Sequence, residues 1–165
     1  MSVAALVVVM GVTGCGKSTV GKAIAARLGM PFADADDFHS PANVAKMTAG
    51  VPLTDEDRVP WLHAIGTWLA SQRDTGAVAS CSALRRRYRD ALRDTAPDVV
   101  FVHLHGDRET AYRRVSNRRG HFMPSSLVDS QFDTLEPLEP DERGMVLDMS
   151  LPVDELVDQA VGELR

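Results

Sequence analysis

Eight residues, Gly11 to Ser18, read Gly-Val-Thr-Gly-Cys-Gly-Lys-Ser and match the phosphate-loop pattern G-x-x-x-x-G-K-[ST]. The residue types dictate the chemistry. Glycines let the backbone bend so that consecutive N–H groups converge on phosphate oxygens. A helix starting at Lys17 adds partial positive charge at its N-terminus. Lys17 reaches the β- and γ-phosphates, and Ser18 offers a hydroxyl to Mg²⁺. A nucleoside triphosphate is the expected ligand.

Two further groups could act on that phosphate. Asp34 and Asp36 form an Asp-x-Asp pair. A kinase acting on a hydroxyl needs a carboxylate that orients the acceptor and takes its proton. A second carboxylate nearby can support Mg²⁺, directly or through water. Turn residues capping the next helix are the alternative reading of this pair. The second group is basic. Arg113, Arg114, Arg118 and Arg119 precede Gly120, His121 and Phe122. Arg114 and Arg118 share a helix face. The glycine-containing loop after them can close as a lid, place Arg charge on the transferring phosphoryl group, and exclude water.

These groups exclude other nucleotide-binding classes. The guanine-reading Asn-Lys-x-Asp of a GTPase is absent. Asp141 to Gly144 fits D-x-x-G but follows a proline-rich segment rather than a strand, and reads as coincidence. The apolar run 77–81 ends in Cys-Ser-Ala, without the carboxylate of a motor ATPase.

The elements that must position these residues follow from periodicity. Val3 to Met10 is nearly all apolar, as in a buried parallel strand. It flows into the phosphate loop, so it reads as strand and not as a leader. Val20, Ala23, Ile24 and Leu28 give a helix over 17–28, ended by Gly29 and Pro31. A short strand begins at Phe32 and enters a loop by Asp36. Residues 41–48 read as helix, with Pro41 in the first turn. Thr54, followed by three acidic residues, starts the next helix, whose stripe is Trp61, Leu62, Ile65, Trp68 and Leu69. Strands are expected at 77–81, 99–104 and 145–149, and helices at 83–94, 107–118, 125–133 and 152–164. The sum is one α/β domain over residues 1–165, with five parallel strands and helices on both faces. Sites in such sheets lie at the strand C-terminal ends, here near Asp34, Asp36, Cys81, Ser82, Gly106 and Ser150.

Composition sets the outer limits. The net charge of −5 argues against a general nucleic-acid partner. No apolar run approaches a membrane span. Two cysteines, Cys15 and Cys81, suggest free thiols in a reducing, cytoplasmic setting. Cys15 reads mainly as a small filler, although a helix N-terminus can lower a thiol pKa. Fifteen Arg against three Lys favour bidentate contacts to carboxylate or phosphate. Trp61 and Trp68 read as core or dimer contacts.

On these residues the chain resembles the gluconokinase family, relatives of shikimate and adenylate kinases. The resemblance covers nearly the whole chain. Besides Gly11–Ser18 and Asp34 to Asp36 with His39, it rests on Asn43 to Met47, on Gly50 to Leu62, and on Cys81 to Leu84 with Tyr88, Arg89 and Asp90. It continues through Arg118 to Phe122, Gln131 to Pro137, and Asp141 to Arg143. The segments 53–62 and 120–122 distinguish gluconokinases from shikimate kinases.

The resemblance implies a P-loop NTPase fold like that of nucleoside monophosphate kinases, with a small lid at about 117–130. The implied reaction is ATP + D-gluconate → 6-phospho-D-gluconate + ADP, feeding gluconate degradation or the pentose phosphate route. It also implies Mg²⁺ and a homodimer. By position, Gly11, Val12, Thr13, Gly14, Cys15, Gly16, Lys17, Ser18 and Thr19 would bind ATP, with Ser18 and Asp36 at the metal. Lys17, Asp36 and Arg118 would be catalytic. Asp36 would take the hydroxyl proton and Arg118 would contact the phosphoryl group. Arg114 would pack toward adenine, near Pro152. His39, Lys46 and Arg58 would line the sugar-acid pocket, joined by Arg86 and His121. Arg58 is the first choice for the substrate carboxylate.

Three departures stand out. Arg85, Arg86 and Arg87 replace a Lys-rich start. Cys15 stands where Ser is common, and Pro41 is displaced by one position.

Overall fold

The computed structural model describes residues 4–116 and 125–164. Its centre is a five-stranded parallel sheet of order β2-β3-β1-β4-β5. The strands are β1 (Leu6–Met10), β2 (Phe32–Asp34), β3 (Ala77–Ser80), β4 (Val100–His105) and β5 (Gly144–Asp148). The helices are α1 (Lys17–Leu28), α2 (Pro41–Thr48), α3 (Asp55–Ser71), α4 (Arg86–Thr95), α5 (Arg108–Ser116), α6 (Ser125–Thr134) and α7 (Val153–Leu164). A 3₁₀ turn, Ala35–Phe38, follows β2.

The all-apolar β1 lies between β3 and β4, with Val8 beside both Ala79 and Phe101. Alternation sends its side chains to two separate cores. Val7 and Val9 meet Val20 and Ile24 of α1 and Leu156 and Val157 of α7. Leu6, Val8 and Met10 meet Leu62, Ile65 and Leu69 of α3 and Leu92 of α4. Burial on both faces is why this run lacks the period-two alternation of an exposed strand. At the outer edge, β5 leaves Gly144, Val146 and Asp148 exposed.

Helix α3 carries the capping box that Thr54 predicts. Thr54 Oγ1 accepts the Asp57 N–H at 3.1 Å, and Asp57 Oδ2 accepts the Thr54 N–H at 2.9 Å. The helix continues through Pro60 because the buried stripe beyond it offsets one lost backbone bond. At Gly66, α3 crosses α4 so closely that a Cβ would lie 1.9 Å from Thr95 Oγ1. Alanine there would force the two helices apart.

Helix α4 departs from expectation. It starts at Arg86, not residue 83, because Ala83 takes φ +43° and turns the chain after β3. The strand at 32–36 likewise stops at Asp34 and tightens into the 3₁₀ turn. Among the described residues no helix is long and apolar enough to cross a membrane.

Candidate active site

The phosphate loop leaves β1 at Gly11, whose N–H donates to the Ser82 carbonyl at 3.2 Å. That bond ties the loop to the turn after β3. Gly16 caps α1 in the left-handed region (φ +92°), where glycine carries no Cβ penalty. No side chain caps α1, and its first turn holds no acidic residue. Its initial N–H groups are thus left for an anion. Lys17 Nζ donates to the Val12 carbonyl at 3.3 Å, which keeps the ammonium over the loop.

Two adjoining cavities open at the C-terminal ends of the strands. One, about 630 Å³, is lined by the loop from Thr13 to Ser18, by Asp34 and by Ser80. The other, about 410 Å³, is lined by His39, Arg58, Leu84 and Tyr88 among others. Asp36, Met47, Trp61, Ser82 and Gln131 line both, so they stand where the two meet. A third hollow lies behind the loop, lined by Gly14, Cys15, Gly16, Thr19, Arg114, Leu151 and Val153. Arg114 spans it, donating to the Cys15 carbonyl at 3.3 Å and to the Met149 carbonyl. Pro152 sits between two of the lining residues. The structure thus sets Arg114 and Pro152 on one side of the loop, and Asp36, His39 and Arg58 on the other.

The two carboxylates divide their work. Asp34 is both a cap and a site residue. Its Oδ1 accepts the Asp36 N–H at 2.9 Å, and its Oδ2 accepts from Ser18 Oγ at 3.2 Å. Ser80 Oγ lies 3.5 Å from Ser18 Oγ. These hydroxyl and carboxylate oxygens are hard donors of the kind Mg²⁺ prefers. The described residues hold no group of three His, Cys, Asp or Glu that could chelate a metal. The carboxylate beside Ser18 is Asp34, whereas Asp36 was expected there. Asp36 instead reaches the junction. Its side chain is open to solvent, yet the protein around it and the Asp34 carboxylate push its pKa up.

The second cavity has one cationic and one neutral imidazole side. His39 stacks on Trp61 at 4.2 Å between ring centroids, and its Nδ1 lies 3.4 Å from Asn43 Nδ2. Burial lowers the His39 pKa; the Asp36 carboxylate partly offsets this, and the Arg58 charge reinforces it. The ring is therefore neutral at pH 7. Arg58 Nη1 donates to Tyr88 Oη at 3.2 Å and lies 3.4 Å from Asp55 Oδ1, with its guanidinium over the Tyr88 ring.

Two expected pocket residues stand outside both linings. Lys46 Nζ is paired to Asp57 at 2.7 Å, which joins α2 to the start of α3 and holds Asp57 down to about 2. The stabilising contribution of Asp57 is thus present above the ordinary carboxylate range and fades as pH falls toward 2. Arg86 is engaged by Glu139 and, bidentately at 2.7 Å, by Asp141. Those carboxylates draw it to the segment before β5 and leave no donor fork for a substrate. Arg118, His121 and most of the expected lid lie outside the described residues.

Several site residues carried no assignment in the sequence. Gln131 Oε1 accepts the Thr13 N–H, so α6 is anchored to the phosphate loop. Its presence in a family-like string was the available signal. Trp61 and Trp68 both pack against the core, as their stripe predicts; Trp61 also lines both cavities and donates to the Ala35 carbonyl at 2.7 Å, while Trp68 packs on Phe38. Cys15 is the small filler its place in the loop suggests, buried in the core beside α1. Burial pushes its pKa up, against weaker lowering by Lys17 and Arg114.

Comparison with known proteins gives the lineage. The shikimate kinase family model matches residues 13–139. The gluconokinase of Gluconobacter oxydans is 49% identical over 137 residues, covering 82% of this chain and 77% of that protein. The thermosensitive gluconokinase of Escherichia coli is 42% identical over 156 residues, covering 92% and 83%. The crystal structure of a gluconokinase from Sinorhizobium meliloti superposes with a TM-score of 0.88 at 48% identity, covering 99% and 93%. With its phosphate loop, its Asp-x-Asp turn and a second cavity beside them, this chain belongs to the gluconokinase family of P-loop kinases.

Proposed function

We propose that the protein transfers the γ-phosphoryl group of ATP to the 6-hydroxyl of D-gluconate. The observation that carries this is the place of Asp36, at the junction of a phosphate-binding cavity and an Arg-bearing one. The phosphate loop, Lys17 and the start of α1 hold the triphosphate. The acceptor enters the second cavity, whose volume suits a small polyhydroxy acid. Arg58 pairs with its carboxylate, and neutral His39 offers a hydrogen bond to the chain between. The terminal hydroxyl then lies at Asp36. Asp36 removes its proton as the oxygen attacks the γ-phosphorus, and the bond to the leaving oxygen breaks with its electrons on ADP. Ser18 and Asp34 would hold Mg²⁺, which would supply charge neutralisation to the triphosphate. Arg118 would meet the phosphoryl group.

Shikimate is the competing acceptor, since the matching family model is that of shikimate kinases. Identities of 42–49% to gluconokinases favour gluconate. The family resemblance also supports a homodimer, which sedimentation would reveal as twice the single-chain mass. The two free thiols support a cytoplasmic setting.

Arg58→Ala tests the acceptor assignment. Losing a charge-assisted pair should raise the gluconate KM about 10- to 100-fold while the ATP KM stays near its original value. A rise confined to ATP would show that Arg58 does not hold the acid.

A further inference from the structure

Arg89 is the largest fully buried side chain among the described residues. It stands outside both cavity linings and has no part in the chemistry above. Its Nε donates to both oxygens of Glu142, at 3.1 and 3.0 Å, and both side chains are 0% exposed. Ion pairing accounts for only part of the guanidinium. Nη1 donates to the Ala83 carbonyl at 2.9 Å, and Nη2 to the Pro137 carbonyl at 3.3 Å.

Ala83 is the one described non-glycine residue with φ in the left-handed region. That backbone costs an alanine and persists only where its surroundings over-determine it. Its neighbours are the wall between the two cavities. Ser82 lines both, and its carbonyl holds the first glycine of the phosphate loop; Ala83 and Leu84 line the acceptor side. The Leu84 carbonyl accepts the Glu136 N–H at 2.7 Å, so the same turn is gripped from the segment that follows α6.

We infer that Arg89 is a positioning residue: through the Ala83 carbonyl it holds the Ser82–Leu84 turn in the strained shape that forms the acceptor-side wall. Glu142 keeps the guanidinium aimed, and itself accepts from Arg93 at 3.0 Å and from the Glu139 N–H at 3.2 Å. The inference rests on the acceptor reading of the second cavity.

A purely structural ion pair and a positioning device differ in what they predict for two variants. Arg89→Met with Glu142→Leu removes both charges of the pair together, so neither is left buried alone. It removes the donor to Ala83. Glu142→Gln keeps that donor but leaves a buried charge unpaired, so it lowers stability. If Arg89 positions the turn, the double variant shows a gluconate KM raised about tenfold or more with ATP Kd within about twofold. Glu142→Gln, although less stable, then keeps its gluconate KM within about threefold of the unsubstituted protein. The reverse order, with KM following melting temperature, would overturn the inference, as would equal weakening of ATP and gluconate.

Should either variant not fold, Arg89→Lys retains a charge for Glu142 without the fork for Ala83. It is expected to show the same split. If none of the three folds, the pair is a folding element and the proposal falls. Absence of gluconate turnover in the unsubstituted protein would instead refute the acceptor reading, and this inference with it.

Discussion

Asp36→Asn is expected to lower kcat about 10²- to 10⁴-fold while leaving ATP affinity nearly unchanged. Asparagine keeps the shape at the junction of the two cavities but cannot accept the hydroxyl proton. The Asp36 carboxylate is poised for that proton, because surrounding protein and the Asp34 charge both push its pKa up. The sign of the pH effects follows. A base must be ionised, so kcat/KM should fall on the acid side as Asp36 takes a proton, at a higher pH than an ordinary aspartate would give. For stability the sign is opposite. A carboxyl whose folded pKa is raised favours the fold below its unfolded pKa, and that benefit is lost as pH rises through the folded value. At pH 7 the charged Asp36 is therefore a cost, and Asp36→Asn should hold or raise the melting temperature while activity collapses. Retention of activity within tenfold would remove Asp36 from the proton transfer.

Lys17→Ala is expected to lower kcat about 10²- to 10³-fold, with a smaller loss of ATP affinity. The ammonium is held over the loop by the Val12 carbonyl, so little reorganisation stands between the free protein and a bound phosphate. Its charge gains most where negative charge grows on the departing phosphate, and the effect belongs in kcat rather than KM. Lys17 is half-exposed at the start of α1, so the variant should melt near the unsubstituted protein. A variant that lost ATP binding but kept kcat at saturation would show that Lys17 serves the ground state alone.

How far the sequence carried these assignments depended on whether the determinant was local. The phosphate loop is local: glycines, lysine and serine lie within eight residues between a buried strand and a helix, and the structure has them in that arrangement. The central strands and α1 follow from burial on both faces, and α3 from its cap and stripe. What escaped depends on long-range pairing. Whether Asp34 or Asp36 meets Ser18 depends on β2 ending beside Ser80, a register set across strands far apart in sequence. Arg86 suited an acceptor site by type and position, but Asp141, 55 residues away, claims its fork. The late start of α4 reflects the turn at Ala83, which no propensity signals, and which the buried Arg89 far side of that turn makes tenable.

A phosphate-binding cavity and the cavity proposed for the acid meet at Asp36. ADP release with Mg²⁺-ATP, measured against gluconate, shikimate, glucuronate, glycerate, glucose and a blank without acceptor, tests that proposal most directly. Release is expected to depend on gluconate and to stay at background with shikimate and glucose. Equal or greater turnover with shikimate would contradict the substrate assignment, and ATP binding without acceptor-dependent release from any of these compounds would contradict the catalytic one.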